Sequence, residues 1–252
     1  MQRVFLTGAS SGIGEALARR YAQQGAALGL VARRGEALET LRAGLPHPER
    51  HRVYALDVND HAALAAAAQD FLSRGAVDVV VANAGVSHGT LTEHAEDLPV
   101  FEQIIATNLL ATVATFSPFV AAMRAQGAGR LVGIASVAGI RGLPGAGAYS
   151  ASKAATISYC ESLRVELHGS GVKVVTIAPG YIDTPMTRHN AYPMPFLMPA
   201  QKFAAAAVAA IARGTGYSVI PWQMGVVAKL LRLLPNWLYD AAFSRAPHKA
   251  RK

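Results

Sequence analysis

Only one cysteine, Cys160, occurs in the 252-residue chain, so no disulfide can close within it, and a reducing compartment fits that usage. Metal-ligand spacing is missing too. The eight histidines are scattered, with His47, His51 and His61 in loop-like or helix-start contexts. Long apolar runs are scarce. The stretch FAAAAVAAIA is too short to span a bilayer and is bracketed by Lys202 and Arg213. A strand-like run begins within three residues of Met1, so no secretory signal is expected ahead of it, and a cytoplasmic setting is the expectation. Acidic residues are few, 16 against 24 Lys and Arg, giving a net charge of +8. That excess raises nucleic acid or an anionic membrane as partners. No basic motif interleaved with aromatics marks a nucleic-acid module, and Lys249, Arg251 and Lys252 fall in a terminal tail expected to fray.

What is present is a regular alternation. Strand-like apolar runs at 3–7, 27–32, 52–56, 77–82, 130–135, 172–178 and 217–220 are separated by helical stretches. That order predicts one α/β domain over residues 1–252, a parallel doubly wound sheet of about seven strands with helices on both faces. Hydrophobic residues make up 52% of the chain, enough for such a core. Ala65–Ala68 and Ala204–Ala207 read as tightly packed helices.

The first strand-like run, Val4-Phe5-Leu6, is followed by Gly8, Gly12 and Gly14 and then by a helical pattern through Ile13, Ala16, Leu17 and Tyr21. A helix N-terminus offers unpaired N–H groups and partial positive charge. Glycines let the backbone approach a pyrophosphate with no Cβ in the way. The spacing G-x-x-x-G-x-G differs from G-x-G-x-x-G but occupies the same strand–turn–helix context, so a Rossmann-like dinucleotide site is expected.

The second run, ALGLVA, ends at Ala32 where an NAD site usually places an acidic residue, and Arg33 and Arg34 follow. Guanidinium forks match phosphate oxygens. The expectation is NADP(H) in preference to NAD(H), with Arg33 on the 2′-phosphate and Ser10 or Arg34 assisting. The alternative is that both arginines simply begin a solvated helix.

Tyr149 and Lys153 stand four apart in AYSASKAA, and Ser136 closes an apolar strand 13 residues before the tyrosine. Positions i and i+4 share a helix face, about 6 Å apart. A neighbouring ammonium is expected to lower the phenol's ordinary value near 10. Ser136 would offer a hydroxyl to a carbonyl or alkoxide oxygen. The set suits proton transfer to oxygen while a hydride moves at the adjacent carbon.

Together these residues resemble the short-chain dehydrogenase/reductase family over roughly Arg3 to Ile220. Thr7–Gly14 (TGASSGIG) matches its glycine motif, and Asn83-Ala84-Gly85 its NAG motif. Asn108, Ser136, Tyr149 and Lys153 match its catalytic tetrad, Pro179-Gly180 with Ile182 and Thr184 beyond its PG motif, and Asp57-Val58 its adenine-contacting pair. The resemblance implies that Gly8, Ser10, Ser11, Gly12, Ile13, Gly14, Asp57, Val58, Asn83, Ala84, Gly85, Pro179, Gly180, Ile182 and Thr184 line the cofactor site. It also implies that Tyr149 is the general acid or base, that Lys153 holds the nicotinamide ribose, and that Asn108 holds a relay water. For Asn83 the expectation is a structural tie between strands. A homodimer or homotetramer is implied as well.

Beyond the PG motif, residues 186–199 match the family's substrate lid and hold Met186, Tyr192, Met194, Phe196, Leu197 and Met198. A lipophilic carbonyl or alcohol substrate would cover this surface, and so would the chain's own C-terminal segment or a second subunit. Residues 221–252 read as a helical extension and basic tail. Val226, Leu230, Leu233 and Trp237 form one stripe, Gly225, Lys229, Arg232 and Asn236 the opposite one, and Pro235 separates two short helices. The apolar stripe is expected to pack inward, over the pocket or across an interface, with contact at a membrane surface as the alternative. The function expected is NADP(H)-dependent oxidoreduction of an apolar, lipid-like carbonyl or alcohol. The competing reading is a non-catalytic NADP-binding protein that docks through its tail.

Overall fold

The computed structural model describes residues 1–188, 190, 193–246 and 251. Tyr192 of the expected lid and Lys249 and Lys252 of the expected tail lie outside these residues.

Seven parallel strands form the sheet: β1 (Arg3–Thr7), β2 (Ala27–Ala32), β3 (Arg52–Ala55), β4 (Val79–Ala82), β5 (Gly129–Ile134), β6 (Val172–Pro179) and, after a small ribbon β7 (Ile182–Asp183) with β8 (Met198–Pro199), β9 (Tyr217–Ile220). Their spatial order is β3-β2-β1-β4-β5-β6-β9. The order reverses between β1 and β4, and a crevice opens there at the C-terminal strand ends. These bounds match the expected runs closely because strands covered on both faces are almost wholly apolar.

The helices are α1 (Gly12–Gln23), α2 (Gly35–Ala43), α3 (His61–Ser73), α4 (Leu98–Ile105), α5 (Ala111–Gln126), α6 (Gly147–Glu166), α7 (Ala200–Arg213), α8 (Trp222–Leu233) and α9 (Asn236–Phe243). Strand alternation builds two cores. Val4 and Leu6 point to one face, against α1, α2 and α7, while Phe5 points to the other, against α3, α5 and α6. The Phe5 ring lies 5.6 Å from Phe71 and 5.0 Å from Phe119. Burying one such side chain is worth about 1.5–3 kcal/mol. Ala67, Ala68, Ala204 and Ala207 are buried while Ala66, Ala205 and Ala206 are exposed, so each alanine run packs by one face only. Cys160 is buried where a Cβ on Gly133 would lie 2.6 Å from its Sγ, and burial pushes its thiol up to about 11. It is a packing residue.

The helical run Ala95–Gln126 is apolar and long enough to cross a bilayer, yet 44% of its most apolar window is buried and Ile104, Phe116, Phe119 and Met123 sit in the core. It reads as a core helix.

The C-terminal extension corrects one of the two expected placements, since the stripe does not pack over the pocket within the chain. Pro235 does separate two helices, but the stripe Val226, Leu230, Leu233 and Trp237 faces outward, Leu233 being 80% exposed. The face that packs holds Met224, Gly225 and Ala228. A Cβ on Gly225 would lie 3.1 Å from Val219 Cβ, so α8 approaches β9 through its smallest side chain. Helical spacing shows which residues share a face. Which face goes inward was decided here by how closely the backbone can approach its neighbour. A second correction concerns Arg251, which was expected to fray. Its guanidinium bonds both Asp97 oxygens and Glu96, and it holds the Asp97 carboxyl below the usual carboxylate range.

Candidate active site

The crevice at the strand-order reversal is a cleft of about 350 Å³, within the range of about 300–1,000 Å³ common for small-molecule sites. One end is built by the β1–α1 turn. Gly8 and Gly12 have φ of 68° and 57°, the left-handed region that favours glycine. Gly14 is required by contact, since a Cβ there would lie 2.0 Å from the Gly8 carbonyl oxygen. The Ser11 side chain makes no cap bond, so the first amides of α1 face the cleft without a side-chain partner there.

Thr7 and Asn83 lock β1 to β4. Asn83 Nδ2 donates to the Thr7 carbonyl at 3.0 Å, and the Asn83 and Ala84 amides donate to Thr7 Oγ at 3.1 and 3.2 Å. Asn83 is thus the strand tie expected of it, although it also borders the cleft. The tying role of Thr7 was not anticipated. A lone threonine at a strand end carries no signal of its own.

At the end of β2, Arg34 Nη2 donates to Ser10 Oγ at 3.1 Å, and Arg33 Nη1 lies 3.8 Å from Asp57 Oδ2. Arg33, Arg34, Ser10, Asp57 and Val58 therefore surround one corner of the cleft. Ala84, Gly85, Pro179, Gly180, Ile182 and Thr184 border it farther along.

At the other end stand Ser136, two residues past β5, and Tyr149 in the first turn of α6. Ser136 Oγ accepts from the Ala138 amide at 3.2 Å and lies near enough to the Tyr149 hydroxyl to favour its ionised form. Lys153 is buried one turn further along α6, with its Nζ 5.8 Å from the Tyr149 ring centroid and donating to the Ile134 carbonyl at 2.8 Å.

The electrostatics differ from expectation. Burial raises the Tyr149 phenol above its ordinary value, opposed by the Ser136 hydroxyl. Burial also lowers Lys153, to about 8. The lysine does not pull the phenol down as the spacing suggested. Desolvation acts on both groups and favours their neutral forms. Tyr149 therefore keeps its proton through neutral pH.

Asn108 is the one tetrad residue that does not line the cleft. It lies in a π turn, Ala106–Leu110, between α4 and α5, and is 1% exposed. Its Oδ1 accepts from the Val86 amide at 2.8 Å, and its Nδ2 donates to the Val86 carbonyl and to Ser152 Oγ, both at 3.0 Å. Both amide hydrogens are occupied by the protein. The expected water-holding role does not draw on them, and the side chain clamps the segment after Gly85 to α6.

The short chain dehydrogenase family pattern matches residues 2–193. The chain belongs to the short-chain dehydrogenase family. An uncharacterized oxidoreductase of Myxococcus xanthus is 40% identical over 249 residues, 95% of each chain. A 2-dehydro-3-deoxy-L-rhamnonate dehydrogenase (NAD(+)) of Sphingomonas is 38% identical over 72% of each. A short-chain dehydrogenase structure from Streptomyces avermitilis superposes with a TM-score of 0.82 at 27% identity, covering 96% of this chain and 98% of that one. This short-chain dehydrogenase is thus an oxidoreductase of alcohol and carbonyl groups, from a family that uses nicotinamide cofactors.

Proposed function

We propose that the chain is an NADP(H)-dependent reductase of apolar carbonyl compounds, acting through Tyr149 as general acid. The observation that carries this reading is the convergence of Ser136, Tyr149 and buried Lys153 on one cleft that begins in a glycine cradle. The cradle fits a dinucleotide. Side chains at Gly8, Gly12 and Gly14 would fill it, and the α1 N-terminus favours a pyrophosphate.

Gly8, Ser10, Ser11, Gly12, Ile13 and Gly14 would hold the pyrophosphate. Asp57 and Val58 would meet the adenine, and Asn83, Ala84, Gly85, Pro179, Gly180, Ile182 and Thr184 the nicotinamide half. Arg33 and Arg34 favour a 2′-phosphate over a bare ribose. The Sphingomonas relative carries NAD(+) in its name, so preference differs within the family and rests here on these two arginines.

Bound nicotinamide supplies a hydride to the carbonyl carbon. Ser136 Oγ donates a hydrogen bond to the carbonyl oxygen. Tyr149 would give its proton to that oxygen, its own O–H breaking, as hydride reaches the carbon and C=O becomes the C–O single bond of an alcohol. Lys153, held on the Ile134 carbonyl, would bond the nicotinamide ribose with its remaining N–H groups. A phenol kept protonated by burial suits reduction better than oxidation at neutral pH.

Met186, which is exposed and borders the cleft, fits an apolar substrate, and Phe196 and Leu197 of the same segment are exposed too. The outward stripe of α8 and α9 and exposed Leu98, Phe101 and Leu110 fit a homo-oligomer. Flanking Lys229 and Arg232 leave anionic membrane contact as the second reading of the α8 stripe. Sedimentation with and without anionic vesicles separates the two.

The activity test is NADPH oxidation with a panel of lipophilic ketones, run beside NADH. Turnover with NADPH at least tenfold better than with NADH is the expected result. Tight NADPH binding with no turnover across the panel would leave only a cofactor-binding protein.

A further inference from the structure

Resting on that reading, we infer that the C-terminal extension sets the position of the loop beside Ser136 and Tyr149, and that Arg141 is the positioning residue through which it does so. Arg141 lies in the loop 137–146, which joins Ser136 to the helix of Tyr149. Its Nη1 donates to the carbonyls of Leu231, Arg232 (3.2 Å) and Leu234 (2.8 Å), and its Nη2 to Asn236 Oδ1 at 3.2 Å. The guanidinium thus caps the C-terminus of α8, where a cation meets the negative end of the helix dipole. The same group stacks on Tyr239, with Cζ 3.9 Å from the ring centroid. Tyr239 returns the contact by donating its hydroxyl to the Gly142 carbonyl at 2.6 Å.

This latch holds the far end of an extension whose near end packs on β9 through the small face of α8. Trp222, Val226, Leu230 and Leu233 of α8 face outward, and its buried residues are Met224, Gly225 and Ala228. Tyr239 is the one buried residue of α9. The latch also fixes the loop from outside, while the Thr90 amide donates to the Gly145 carbonyl at 3.1 Å and fixes it from the other side. Arg141 does not border the cofactor cleft. Its removal should loosen the wall beside Ser136 and Tyr149 without disturbing the glycine cradle.

The variants are Arg141→Ala, Arg141→Lys and Tyr239→Phe, in the full chain. Three readouts are taken: hydrogen exchange of amides 139–145, NADPH affinity, and steady-state reduction of an alkyl phenyl ketone series. For Arg141→Ala, loop exchange should rise at least about tenfold and ketone KM should rise about tenfold, with kcat within about threefold. NADPH affinity should be unchanged. Arg141→Lys keeps the charge but loses the planar fork, so it should recover part of the KM. Tyr239→Phe keeps the stacking and should raise exchange chiefly at Gly142 and its neighbours. Unchanged loop exchange in Arg141→Ala overturns the inference, and so does a fall in kcat at constant KM. If the parent chain reduces no ketone, the proposed activity fails, yet the exchange result still decides whether the latch exists. If Arg141→Ala does not fold, the exchange pattern of Tyr239→Phe decides, and no change around Gly142 overturns the latch.

Discussion

Lys153 and Ile134 are joined by a 2.8 Å hydrogen bond, side-chain ammonium to backbone carbonyl, and this bond fastens the helix carrying Tyr149 to the strand that delivers Ser136. The proposed proton donor Tyr149 and its proposed polarising partner Ser136 are therefore set by one buried cation, and each prediction about the site begins from that arrangement.

Replacing Tyr149 by Phe removes the hydroxyl and preserves the ring. Turnover should fall by at least about 10²-fold, the usual scale of general acid catalysis, while NADPH affinity stays within about threefold. Stopped assays and a fluorescence titration of NADPH measure the two. Retained turnover removes Tyr149 from the chemistry.

Lys153 has a value of about 8, below its ordinary 10.5. Its charge is present at neutral pH and lost as pH rises through about 8, so ketone reduction should decline with a midpoint near there. Unfolding would not be the cause. With the folded value depressed, the unfolded chain binds more protons between about 8 and 10.5, and the Lys153 contribution to stability rises with pH across that window. A thermal melt at each pH distinguishes lost charge from lost fold.

Arg33→Ala should weaken NADPH binding about 10- to 100-fold, the loss of one charge-assisted contact, and leave NADH affinity nearly unchanged. Parallel titrations with the two cofactors give the answer. Equal effects on both would assign Arg33 to a surface role beside Asp57.

Asn108→Ala deletes three hydrogen bonds in a site that is 1% exposed, leaving both polar groups of Val86 short of a partner. A stability loss of about 1–3 kcal/mol is expected, read by denaturant unfolding. A residue serving only a proton relay would lower turnover with no such loss.

Much of this protein was legible in its sequence, for physical reasons. Strands buried on both faces show as unbroken apolar runs, and the turn after β1 can use little but glycine. Only small shifts occurred there: β4 begins at Val79, not Val77, although the Asp78 backbone still bonds Arg3 and Arg130 on its two sides. The i,i+4 spacing placed Tyr149 and Lys153 on one face but said nothing about desolvation, which reversed the expected shift of the phenol. Asn108 read as functional by its company, while its partner Val86 is 22 residues away. The Arg141–Tyr239 contact joins a glycine-rich loop to the far end of the chain, and no local pattern announces such a pair.

Both tryptophans of the chain, Trp222 and Trp237, sit on α8 and α9, and they are 70% and 72% exposed. All indole emission therefore comes from one corner of the molecule. Quenching or a spectral shift would report whatever approaches that corner, another subunit or a lipid surface alike, with no label attached.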